Sequence, residues 1–309
     1  MEKKYILTKM SIEHDGRMLH RIKALKSFGD VKEGDLGGYI EYAYNLSHEG
    51  NCWVYDDAKV YQSGNVCNNA RVAGNAEVFG NATVRDSSSV YDDARVFGGS
   101  IGGFTKVFGK AIVYDNAHIY GNVRIFGNAQ VFECAQVYHN AHIFGNSRIY
   151  GDAIIKDSAN VFGWAHVFDY VELSDNCRVS GHSRVFGCSE VFDNAKVFDN
   201  SHIFDNAKVF GNSVISDNAY IFGSAQVSEK VRVIDNARIF GNAKLDGAVR
   251  ISDQKIFENC WQWQFSNIKR VFPPIGNTLF LLLLSKLLNN YILLMWRGSE
   301  IYKWNLKGR

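Results

Sequence analysis

Arg124-Ile125-Phe126-Gly127-Asn128-Ala129, Gln130-Val131-Phe132-Glu133-Cys134-Ala135, Gln136-Val137-Tyr138-His139-Asn140-Ala141: three successive hexads carry the same message, and most of the chain repeats it. An aliphatic residue returns every sixth position across 54–251, through Val54, Val60, Val66 and on to Val96, then after a single step of five from Ile101 to Ile251, giving 34 hexads. Four places after each aliphatic stands a small residue, such as Ala58, Ala117, Ser147, Ala195 or Ser201. A six-residue period fits neither an amphipathic helix nor a plain hairpin sheet; it fits a short strand plus a corner, repeated as a solenoid.

Alternation decides which side faces in. The residue before each aliphatic is usually polar (Lys59, Arg71, Arg124, His142, Lys208, Arg238), and by period two it shares a side with the aromatic that follows. Val and Ile therefore line the interior, while the Phe/Tyr column and the charges point out. The pairs Gly127-Asn128, Gly145-Asn146, Asp193-Asn194 and Asp217-Asn218 supply corner conformations that most residues resist. Asp at Val167 should therefore be costly and Lys at Gln130 cheap.

This pattern resembles the hexapeptide repeat of left-handed parallel β-helix proteins. The resemblance implies an all-β solenoid of about eleven triangular coils over 53–255, on the order of 50 Å long at a strand spacing of ~4.8 Å. Before it, residues 1–52 lack the hexad and read as a small β cap: Tyr5-Ile6-Leu7-Thr8 and Arg17-Met18-Leu19-His20-Arg21-Ile22 flank a turn at Asp15-Gly16. The runs 28–41 and 45–54 resemble the entry segment of uncharacterised bacterial and phage hexapeptide-repeat proteins often labelled transferases, a label inherited from fold.

Acyltransferases with this repeat use an acyl-CoA such as acetyl-CoA and a His general base at a subunit interface, which makes His118, His139, His142, His166, His182 and His202 the candidates. His118, His142 and His166 fall on three different faces, and His166 and His202 lie two coils apart on one, too far to share a metal. Such enzymes also interrupt their coils with a loop that walls the acceptor pocket, and nothing interrupts 54–251 here. Gly98-Gly99-Ser100-Ile101-Gly102-Gly103 lacks the Lys-Ser/Thr of a phosphate loop and falls at the five-residue step, so it reads as a tightened or bulged corner. The six cysteines form no CxxC pair, which predicts neither a disulfide nor a zinc framework and no metal. A net charge of +2 leaves the partner class open, and the first residues carry no signal-peptide pattern, which places the chain by default in the cytoplasm.

Residues 256–309 form a separate cap or tail. The apolar run 278–296 is expected to be a helix, either capping the last coil or, less favoured, contacting a membrane despite Lys286 at ~2.5–3.5 kcal/mol. After Phe265-Ser266-Asn267-Ile268 the sequence also departs from the ending of the proteins it resembles.

One face stands apart. Every third hexad places Tyr61, Phe79, Phe97, Tyr114, Phe132, Tyr150, Phe168, Phe186, Phe204, Phe222 and Phe240 outward in a single row. The other faces break the run, one with Ala73, Ser180 and Ser216, the other with Cys67, Arg85, Lys156, Ser174 and Asp246. Lys59, Arg95, Arg148, His166, Arg184, His202 and Arg238 run alongside. The reading favoured is a non-catalytic interaction module that forms a homo-oligomer, by resemblance a trimer, through this aromatic face. A polysaccharide or single-stranded nucleic acid on the same face is the runner-up partner, and an acyltransferase the alternative function.

Overall fold

In a computed structural model the described residues are 3–257, 280–281, 290–297 and 300–307. The chain divides into two units, Met1–Gln264 and Phe265–Arg309.

The first unit opens with two antiparallel strands, β1 (Tyr5–His14) and β2 (Arg17–Ala24), joined at Asp15 and Gly16, both with positive φ (51° and 70°). That conformation matches the twist of a two-residue hairpin. Strand β3 (Leu36–Ile40) pairs antiparallel with β2 on one edge and parallel with the second solenoid strand, Lys59–Val60, on the other, Tyr39 against Lys59 and Ile40 against Val60. The upper edge of that sheet is thus covered by the chain's own hairpin rather than left open to another strand.

From Trp53 onward the chain is an all-β parallel solenoid of about twelve turns. Strands are mostly two residues long, the polar residue plus the aliphatic, and each pairs in parallel with the one a turn later: Lys59 with Glu77, Asn65 with Thr83, Arg71 with Ser89. Three strand columns result. One, from Trp53–Val54 to Arg250–Ser252, holds twelve strands, one more than the count of eleven coils expected because the 34 hexads begin and end on this column.

Every aliphatic and every small corner residue from Val54 to Ala243 is inaccessible or nearly so, in one continuous core. Each buried Val or Ile contributes about 1.5–3 kcal/mol relative to exposure. Ser can stand in for Ala because its hydroxyl donates back to the carbonyl three residues earlier, as Ser147 Oγ does to Phe144 O at 2.9 Å.

The corners differ from expectation in one respect. The left-handed conformation belongs to the first corner residue, Gly or Asp, while the Asn after it has ordinary φ: Asp193, Asp199, Asp205 and Asp217 all have φ of 58–60°. Asp suits this position because its carboxylate also finishes the hydrogen bonding of the corner, as the Gln62 carboxamide oxygen does for Gly80 N. Asp193 Oδ2 accepts from Gly211 N one turn on (2.9 Å), Asp205 from Gly223 N (3.0 Å), and Asp92 from Gly109 N (3.1 Å). Those amides have no ladder carbonyl, so the side chain satisfies a donor that the turn would otherwise orphan.

The expected helix over 278–296 is overturned where the chain is described. Asn290–Arg297 is a strand, antiparallel to Glu300–Lys307 and to Phe280–Leu281. A run of apolar residues is compatible with helix or strand, and the Gly298-Ser299 pair between two segments of eight is the hairpin signal that should have decided it. The rest of that expectation, 278–279 and 282–289, and the covering strand expected at 261–265 lie outside the described residues. No helix among the described residues is long and apolar enough to cross a membrane.

Candidate functional site

The aromatic row is physically continuous. From Tyr61 through Phe79, Phe97, Tyr114, Phe132, Tyr150, Phe168, Phe186, Phe204 and Phe222 to Phe240, each ring stacks on the next with centroids 4.6–5.1 Å apart and planes within 18°. The spacing is that of adjacent strands, so the register of the solenoid sets the rings in a near-parallel stack. At the upper end Tyr61 is buried beneath the hairpin, its ring 5.3 Å from His14 and its hydroxyl 3.3 Å from Glu77 Oε2. The other ten are half-buried. Stacking covers their faces and leaves their edges to solvent.

In one turn of this column the corners depart from the Asn pattern. Trp164 and Tyr170, in the two corners that bound the strand of His166 and Val167, are 55% and 68% exposed. Trp164 stacks on His182 one turn later (5.1 Å, 12°). Sequence reasoning passed over both because it tracked the hexad positions that repeat, whereas these are exceptions at a corner position usually held by Asn. Their signal was there: large aromatics where neighbouring hexads carry none.

The histidines are dispersed. His142 lies in the twelve-strand column between Arg124 and Asn160. His139 occupies a corner with φ 56° and bonds Asp157 through Nδ1 (2.9 Å). His166 sits between Arg148 and Arg184 on the aromatic face; burial and then those two guanidiniums hold its pKa below the ordinary value. His202, stacked on Tyr220 at 4.8 Å, is lowered chiefly by burial.

His118 borders a depression. The five-residue step is a bulge, with the register shifting between Gly98 and Ser100, and the shortened corner leaves an open groove of about 720 Å³. Gly98, Gly99, Ser100, His118, Asp115, Glu133 and Cys134 line it. The tightened or bulged corner expected at 98–103 is thus a bulge with a groove beside it. Among the described residues no cluster of His, Cys, Asp or Glu is arranged to hold a metal ion.

No protein-family profile matches the chain. Of curated proteins, an uncharacterized acetyltransferase, YdcK of Escherichia coli (strain K12), is 42% identical over 50 residues, a match that takes in 15% of this chain and 15% of that protein.

Proposed function

We propose that this chain is a non-catalytic interaction module, a left-handed, three-sided solenoid that self-associates as a trimer through the face bearing the ring ladder. The observation that carries this reading is the unbroken stack from Tyr61 to Phe240, bordered at mid-length by the exposed Trp164 and Tyr170. A row of ring edges is flat and repeats at the strand spacing, so a second copy can meet it in register with apolar contact along its length. The same geometry disfavours a single-stranded nucleic acid on this face, because bases stack on ring faces and these are covered by neighbouring rings. Replacing Phe168, Phe186 and Phe204 together with Ser should reduce the mass in solution to that of a monomer, read by light scattering. Unchanged mass would remove the reading.

An acyltransferase is the second reading, supported by the short likeness to YdcK and by the groove beside His118. In it His118 is the general base, and the acyl-CoA lies in the depression at Gly98 and Gly99. Saturable thermal stabilisation by acetyl-CoA, abolished by His118→Ala, is its test. Absence of any shift counts against it.

A further inference from the structure

The lower part of the twelve-strand column carries a second feature, on a different face from the ring ladder. Its outward polar row brings Arg178 into register with Lys196, and Arg232 into register with Arg250, on directly adjacent parallel strands. Lys230, at the corner before Arg232, adds a fifth cation. All five are exposed, and among the described residues none has a carboxylate within ion-pair distance.

Some cations of the solenoid meet carboxylates, while Lys106 and Arg124, in register higher in the same column, stand without an ion pair among the described residues. Lys208 meets Glu190 in the next turn at 2.7 Å, Lys156 meets Glu172 at 2.6 Å, and Arg95 meets Glu77 at 3.3 Å. In the cationic row the nearest corner acids are otherwise engaged: Asp175 accepts from Asp193 N (3.2 Å) and Asp193 from Gly211 N (2.9 Å). Glu229 is exposed beside Lys230 but in no ion pair with it. Like charges placed opposite one another on neighbouring strands oppose folding, so the row is a cost to the free protein that a bound polyanion would relieve.

The row also has a shape. Val214 stands between Lys196 and Arg232 where its register neighbours are long and charged, and the short side chain leaves a dip. Two adjoining grooves of about 520 and 550 Å³ share Asn212, Val214 and Arg232; the first is also lined by Asn176, Asn194, Arg178 and Lys196, the second by Lys230 and Arg250. They adjoin along the solenoid, with the strand row of Arg178, Lys196, Val214, Arg232 and Arg250 on one side and the corner row of Asn176, Asn194, Asn212 and Lys230 on the other.

We propose that this channel binds an acidic polysaccharide, a linear glycan bearing carboxylates along its length. Within each pair, Arg178 with Lys196 and Arg232 with Arg250, the cations lie one strand spacing of ~4.8 Å apart, close to the length of one pyranose unit, with Val214 between the pairs. The Asn amides donate and accept, which suits hydroxyls as well as carboxylates. A single-stranded nucleic acid fits less well, because the outward positions beside the channel are Ser180, Phe198, Ser216 and Ile234, with no run of rings for successive bases. The proposal is independent of self-association, since it uses another face.

Polygalacturonate and an oligo(dT) of matched charge are titrated into the full-length protein by calorimetry at low and at physiological salt. The expected result is binding of polygalacturonate, weakened by salt and weaker by about tenfold or more in Arg232→Gln/Arg250→Gln. A control, Lys208→Gln/Lys244→Gln, removes the same charge from another face and should leave affinity within about twofold. Arg232, Arg250 and Lys244 are exposed and Lys208 is half-buried in its ion pair with Glu190, and unchanged melting temperatures establish that the variants are folded. The proposal is overturned if the parent binds no polygalacturonate, if the control loses as much affinity as the channel variant, or if oligo(dT) binds more tightly.

Discussion

Val167 and Gln130 are both strand residues of the ring-bearing column, one inaccessible between Ile149 and Val185, the other half-buried between Ile112 and Arg148. Val167→Asp should cost about 3–5 kcal/mol, since its carboxylate has no partner inside the solenoid. Gln130→Lys should stay within about 0.5 kcal/mol. Urea melts of the two variants check this, and equal losses would mean that inside and outside are exchanged. His166 and His202 give a pH dependence whose sign follows from burial. Their folded pKa values lie below the ordinary 6.5, so between those values and 6.5 the unfolded chain holds more protons and stability rises with pH. Their contribution is complete above about pH 6.5 and is lost as pH falls through the folded values. Melting temperatures should drop on acidification from pH 7 to 5, and less steeply in His166→Gln. The inward and outward positions were legible in the sequence because strand alternation is strict. The role of Asp in the corners was not, because a preference for left-handed backbone says nothing of the amide one turn away that the side-chain oxygen accepts from.

Among the elements, the corner at 98–101 is the one the hexad count flagged. Its two glycines both take positive φ, and a Cβ on Gly99 would stand 2.4 Å from Ala117 O, whereas at Gly80, one turn earlier in the same corner column, the nearest atoms are 3.6 Å away. Gly99→Ala should therefore cost about 3 kcal/mol or more, and Gly80→Ala about 1–2 kcal/mol from backbone conformation alone. Chemical denaturation separates the two, and a Gly99→Ala variant as stable as Gly80→Ala would show that the bulge tolerates side chains. The sequence revealed the shortened corner but not the groove beside His118, because a groove depends on what the turns above and below present. At the other end, 290–297 was misread as helix because hydrophobicity without a clear period does not distinguish the two conformations.

At the scale of the whole molecule, one repeat buries its aliphatic column inside and must display the same repeat outside. Register then aligns like with like: ring over ring on one face, and cation over cation in the lower part of another. The stacked rings help to hold successive turns together, at about 0.5–1.5 kcal/mol a pair, and simultaneously present a surface for association. The ring ladder was legible because its members share a residue class at fixed spacing. The cationic row escaped because Arg, Lys, Val and Asn alternate within it, and only the pairing and the carboxamide corner beside it make it one feature.

Self-association through the ring-bearing face is tested most directly at its exposed edges, where substitution does not disturb the stacked rings. Sedimentation equilibrium of the parent and of Trp164→Glu/Tyr170→Glu measures assembly, while their melting temperatures report the fold. The account predicts a multimeric parent and a monomeric double variant whose fold melts as the dissociated parent does. A parent that is monomeric at tens of micromolar, or a double variant of unchanged mass, would contradict it.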